Sequence, residues 1–217
     1  MDHLAKEYSI VIPAGGVRLH GDLSLPPAPH GVVLFAHGSG SGRFSPRNRF
    51  VAEWLQAGDL ATLLLDLLEE QEADDRRKVF DIDLLADRLL AASEWLAADP
   101  RTGGLMRGYF GASTGAGAAL QAAARSPEGI AAVVSRGGRP DLAHPWLSRV
   151  QAPTLLIVGG EDFPVIEMNR EALAELAGPK QLVIVPGATH LFEEPGTLEQ
   201  VATLARGWFR EHLAGRG

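Results

Sequence analysis

Short runs of apolar residues alternate along the chain with longer stretches in which apolar positions recur every three or four residues. That alternation predicts strands and helices in turn. Tyr8 to Ile12 and Val17 to Leu25 flank the turn-prone Pro13-Ala14-Gly15-Gly16 and predict an opening hairpin. Further runs follow at Gly31 to Ala36, Ala61 to Leu67, Met106 to Ala112, Ile130 to Ser135, Pro153 to Gly159 and Lys180 to Val185. These are apolar throughout rather than at every second position, as in strands covered on both faces of a parallel sheet. Among the helices, Ser45 caps one that opens on Pro46, carries Phe50, Val51, Trp54 and Leu55 on its apolar face and stops at Gly58. A second runs from about Asp81 to Ala98, with Leu85, Leu89, Ala92 and Leu96 on one stripe. Others are expected at Ser113 to Arg125, Ile166 to Ala177 and Thr197 to Leu213. Strands alternating with helices of this length imply right-handed crossovers, hence an α/β fold with a mostly parallel, doubly wound sheet of about eight strands.

Composition narrows the picture. A length of 217 residues suits one domain, 1–217, and 46% hydrophobic with 22% charged residues supplies a large core without a case for disorder. The net charge is -7, and no segment gathers lysine or arginine with interleaved aromatics, so nucleic acid is not the expected partner. The first residues lack the basic and apolar regions of a signal peptide, and no apolar run approaches the ~20 residues that span a bilayer. A cytoplasmic protein with no membrane partner is expected. The absence of cysteine excludes disulfides, thiolate metal sites and cysteine nucleophiles.

One constellation carries chemistry. Gly111-Ala112-Ser113-Thr114-Gly115 matches G-x-S-x-G, with an apolar strand entering it and an alanine- and glycine-rich helix leaving it. In that setting the small residues let the chain turn sharply and present the Ser113 hydroxyl. The alternative is a glycine-rich turn with an ordinary N-cap serine. A serine nucleophile needs a base and an acid behind it, and this fold orders them serine, acid, histidine. Asp162 follows one strand in Gly160-Glu161-Asp162, and His190 follows the next in Pro186-Gly187-Ala188-Thr189-His190. Taken singly, Asp162 reads equally well as a helix N-cap and His190 as a loop histidine; Glu161 is the second choice for the acid. The loop His37-Gly38-Ser39-Gly40-Ser41-Gly42 stands where an oxyanion hole needs N–H donors, assigned here to the backbones of Ser39 and Thr114. His37 is read as structural. A phosphate loop fails for want of Gly-Lys-Ser/Thr, and a metal site for want of HExxH or ligand spacing, so no metal and no cofactor is expected.

With these motifs the chain resembles the α/β-hydrolase superfamily, and within it the dienelactone-hydrolase-like branch. HGSGSG, GYFGASTGAG, SRGGRPDLA, APTLLIVGGED and VPGATHLFEEPG stand where that branch has its loops. The chain is most similar to the group that also occurs fused to phosphoribosyltransferase domains. Dienelactone hydrolases proper use a cysteine where this chain has Ser113, which separates it from dienelactone as substrate. The resemblance implies a serine hydrolase fold and no particular substrate.

The stretch Arg136 to Gln151, where related enzymes insert a lid, is short, so no separate lid domain is expected. The expected activity is hydrolysis of small carboxylic esters or lactones, with a small-molecule ester as partner. Acyl transfer or peptide hydrolysis by the same residues, or a non-catalytic binding domain on the same fold, remain open at this stage. Arg43 and Arg47 follow the oxyanion loop and Arg136 and Arg139 follow the sixth strand. Arginine's fork grips carboxylates, so Arg136 first and Arg43 next are candidates to bind an anionic substrate, against the alternative that they pair with the chain's own acids.

Overall fold

The computed structural model describes residues 5–214. Its strands are β1 (Lys6–Ala14), β2 (Val17–Leu25), β3 (Gly31–Ala36), β4 (Ala61–Leu65), β5 (Met106–Ala112), β6 (Ala132–Arg136), β7 (Thr154–Gly159) and β8 (Lys180–Val185). They form one eight-stranded sheet in the order β1-β2-β4-β3-β5-β6-β7-β8. Only the β1–β2 and β2–β4 pairings are antiparallel. The opening hairpin turns at Gly15 and Gly16, both at positive φ, as a two-residue turn matched to strand twist requires.

The helices are α1 (Pro46–Gln56), α2 (Glu70–Ala73), α3 (Arg76–Val79), α4 (Ile82–Ala98), α5 (Thr114–Arg125), α6 (Phe163–Glu175) and α7 (Thr197–Leu213). The continuous apolar strands serve two cores. Val32, Leu34 and Tyr109 face α4 and α5, while Val33, Phe35 and Phe110 face α1 and α7. Each buried Val, Leu or Phe contributes ~1.5–3 kcal/mol, which outweighs the weak helix preference of any single segment. Local signals set the ends: Ser45 Oγ accepts the Asn48 N–H at 3.4 Å, and Asp81 accepts the Leu84 N–H at 3.0 Å.

Two departures from the sequence reading bear on function. β6 covers Ala132–Arg136 rather than Ile130 to Ser135, so Arg136 is its last residue, paired with Ala112 and Ile157, instead of starting the loop. The other concerns cover for the cleft. The segment after β6 holds two short 3-10 turns, Pro140–Ala143 and Leu147–Arg149, whereas residues between β4 and α4 fold into α2 and α3 and wall the cleft.

Candidate active site

β5 delivers the chain to Ser113 and α5 takes it away. The reversal within one residue puts Ser113 at φ 51°, ψ -122°, a conformation that costs a non-glycine residue ~1–3 kcal/mol. Packing holds it there. A Cβ on Gly115 would lie 2.2 Å from the Ala36 carbonyl oxygen, and one on Gly111 would lie 2.5 Å from Ala116 Cα, so the helix sits this close to the sheet only with glycine at both positions. The Ser113 N–H donates to the Arg136 carbonyl at 3.2 Å, and the Arg139 N–H donates to the Ser113 carbonyl at 3.0 Å. The nucleophile candidate is thereby tied through its N–H to the end of β6 and through its carbonyl to the loop that follows.

Asp162 occupies the N-cap position of α6, yet its side chain caps nothing. The carboxylate instead lies 2.6 Å from His190 Nδ1, with Asp162 nearly buried and His190 partly open to solvent. A carboxylate at Nδ1 fixes the proton on that nitrogen and leaves Nε2 as acceptor. Glu161 is exposed. Two residues not foreseen in the sequence hold the His190 loop. Glu194 accepts from the Thr189 N–H at 3.0 Å and from its hydroxyl at 2.6 Å, and these bonds draw the Glu194 carboxyl below its usual range. Phe192 is buried at φ 54° in the core under α7. Gly137 brings the two loops together, since a Cβ there would meet the His190 carbonyl at 3.2 Å and its ring at 3.5 Å.

The glycine-rich loop lies against Ser113, with a Cβ on Gly38 falling 3.1 Å from Ser113 Cβ. The Ser39 N–H donates to Thr114 Oγ1 at 3.0 Å, so one expected oxyanion donor already carries a bond, and that bond registers the loop over the start of α5. His37 is buried and clamps the loop from behind. Its Nε2 accepts the Leu67 N–H at 3.0 Å, which leaves the proton on Nδ1 to donate to the Gly38 carbonyl at 3.0 Å. Burial lowers its pKa, so the ring is neutral.

Leu67 continues the chain of contacts. Its carbonyl accepts from Arg88 Nη1 at 2.6 Å, and Arg88 grips Glu72 of α2 through both ends of its fork, at 2.6 and 2.8 Å. Lys78 adds a third donor to Glu72 at 2.8 Å. The Arg88 bond above all holds the Glu72 carboxyl down to about 2. This network fixes the wall of a cleft of about 890 Å3 that flanks Ser39 and Thr114 and runs to Arg18, His20 and Glu70.

The arginines sort differently from expectation. Arg43 lines the cleft, and its guanidinium pairs with Asp66, lies 3.6 Å from Asp22 and stacks 4.1 Å over Phe44, so its charge is already met by the chain's own acids. Arg139 is likewise closed on Asp141 at 2.8 and 2.7 Å. Arg136 is buried, at 8% exposure, and its Nη1 has no partner. His20, His30 and His144 are exposed, and His3 lies outside the described residues. No group of His, Asp and Glu among the described residues has the arrangement to hold a metal ion, and no helix there is long and apolar enough to cross a membrane.

The model of the dienelactone hydrolase family matches residues 63–210, a span that contains Ser113, Asp162 and His190. A putative phosphoribosyl transferase of Mycobacterium tuberculosis is 58% identical over 212 residues, which cover 98% of this chain and 48% of that protein. The chain thus spans about half the length of the curated relatives it matches. Among solved structures, a dienelactone hydrolase from Anabaena variabilis is 58% identical with a TM-score of 0.94, covering 97% of this chain and 100% of that one. Est1E from Butyrivibrio proteoclasticus shares the fold, at 17% identity and a TM-score of 0.80 over 94% of this chain and 98% of its own.

Proposed function

Because the chain belongs to the dienelactone hydrolase family, we propose that it is a serine hydrolase that cleaves small carboxylic esters or lactones through Ser113, His190 and Asp162. The observation that carries this reading is the 2.6 Å bond from His190 Nδ1 to Asp162, beside a serine held at positive φ on a strand-to-helix turn. The phosphoribosyl transferase description belongs to relatives twice the length of this chain and adds no second reading of this site.

In the proposed reaction the Ser113 hydroxyl attacks the ester carbonyl while His190 Nε2 takes its proton, and Asp162 stabilises the imidazolium that results. Negative charge gathers on the carbonyl oxygen. The Thr114 N–H, in the first turn of α5, and the Ser39 N–H receive it, the latter as the Thr114 hydroxyl turns away from its 3.0 Å bond. His190 then returns the proton to the leaving alcohol; water, deprotonated by the same ring, attacks the acyl carbonyl, and the ring passes that proton to Ser113 Oγ as the acid departs. The test is pre-steady-state release of p-nitrophenol from p-nitrophenyl acetate. A burst of about one equivalent per chain is expected when deacylation is the slower step. Failure of the wild-type protein to hydrolyse any short p-nitrophenyl ester would overturn the reading.

A further inference from the structure

Resting on that hydrolase reading, we infer that the region between the end of β6, the first turn of α1 and the loop after β8 is a subsite for an anionic group of the substrate, a carboxylate or a phosphate, gripped by Arg136 with Arg47 beside it. Strand alternation places the Arg136 side chain on the same face as Ala132 and Val134, toward α1 and α7. There it is buried with Nη1 unpartnered, whereas Arg88, the other deeply buried arginine among the described residues, has Glu72 across both ends of its fork. A desolvated guanidinium without an anion is an unbalanced charge.

Its surroundings make the imbalance larger. Burial first, and then the neighbouring charge of Arg47, bring the Arg136 pKa down to about 10. Arg47 Nε is also buried without a partner, and its Nη1 reaches only the largely exposed Glu193 at 3.2 Å. The first turn of α1 holds no acidic residue, so the positive end of the helix adds to the same field. Two like charges and a helix end converge, and a substrate anion supplies what they lack. The position suits a substrate: the Arg136 carbonyl holds the Ser113 N–H, and the next residue, Gly137, packs on His190.

The experiment compares p-nitrophenyl hydrogen succinate with its methyl ester, two substrates that differ in one charge. In the wild type kcat/KM for the anionic ester should exceed that for the neutral one by ~10-fold or more, the gain of a charge-assisted contact. Arg136→Gln should lower that ratio by ~10-fold, and Arg47→Gln should lower it in the same direction by a smaller factor. Succinate and inorganic phosphate, run as competitive inhibitors of the neutral ester, separate the two sources, the stronger competitor naming the group. A wild-type ratio near one, a ratio unchanged by both substitutions, or competition by neither anion would each overturn the subsite. Should Arg136→Gln fail to fold by circular dichroism, the wild-type and Arg47→Gln ratios decide. Covalent labelling of Ser113 by an alkyl phosphonate keeps the two readings apart. With labelling present and a flat ratio, only the subsite falls. Without labelling the hydrolase reading falls, and calorimetric binding of succinate and phosphate to wild type and Arg136→Gln then judges the subsite by itself.

Discussion

Replacing Glu72 with glutamine tests how the cleft wall is held. The substitution removes a carboxylate that receives Arg88 at 2.6 and 2.8 Å and Lys78 at 2.8 Å, and leaves Arg88, only 5% exposed, with no counter-charge, only the neutral Leu67 carbonyl and one amide oxygen to accept from it. The gap between the ordinary 4.5 and the value of about 2 in the fold corresponds, at about 1.4 kcal/mol per pH unit, to ~3 kcal/mol. That agrees with the ~3–5 kcal/mol that breaking a buried pair costs when one charge stays behind. For a chain of this size ~3 kcal/mol lowers Tm by ~6–12 °C. The pH dependence has a definite sign. The Glu72 pKa is lower in the folded state, so its contribution is complete above 4.5 and fades as pH falls toward about 2. Thermal melts of wild type and Glu72→Gln, followed by circular dichroism from pH 7 to pH 3, should therefore show a gap that narrows only in the acid half of the range. A gap below ~1 kcal/mol at pH 7, or one that stays constant down to pH 3, would refute the reasoning.

Three further outcomes follow from the site. Asp162→Asn should reduce kcat for p-nitrophenyl acetate by ~10³–10⁴ with a much smaller change in KM, because the amide favours the wrong tautomer of His190; an equal loss from Glu161→Gln would move the acid. Gly115→Ala should cost ~3 kcal/mol or more in urea unfolding, since its Cβ would lie 2.2 and 2.5 Å from backbone oxygens of Ala36 and His37 that cannot yield. His37 is lowered in pKa by burial, so the stability it lends is complete above its ordinary 6.5 and erodes as pH falls below that value. His37→Gln should flatten the part of the stability–pH curve just below 6.5, and an unchanged curve would remove His37 from the account.

The segments that could be read from the sequence are those whose cause is local. β3, β5, β8 and α7 have the bounds that their apolar runs and caps predicted. The elbow at Ser113 shows in its flanking glycines, and Asp162 and His190 show as loop residues after successive strands, although their 2.6 Å meeting depends on β7 and β8 lying side by side. What stayed hidden is non-local. α2 and α3 span four residues each and carry no hydrophobic period; they stand because Arg88, 16 residues along the chain, reaches back to Glu72. Which acids pair with Arg43 could not be read locally, because Asp22 and Asp66 lie on or next to other strands. Arg136 looked like a loop residue because nothing local shows that β6 starts and ends later than its apolar run suggests.

The central claim is that Ser113 is a nucleophile activated by His190 and Asp162, and covalent capture tests it most directly. Incubation with a fluorophosphonate ester, followed by intact-mass and peptide mass spectrometry, should show one adduct per chain on the peptide that contains Ser113. The same treatment of folded Ser113→Ala should show none, and Asp162→Asn should label far more slowly. An adduct elsewhere in the chain, or equal labelling of Ser113→Ala, would contradict the account.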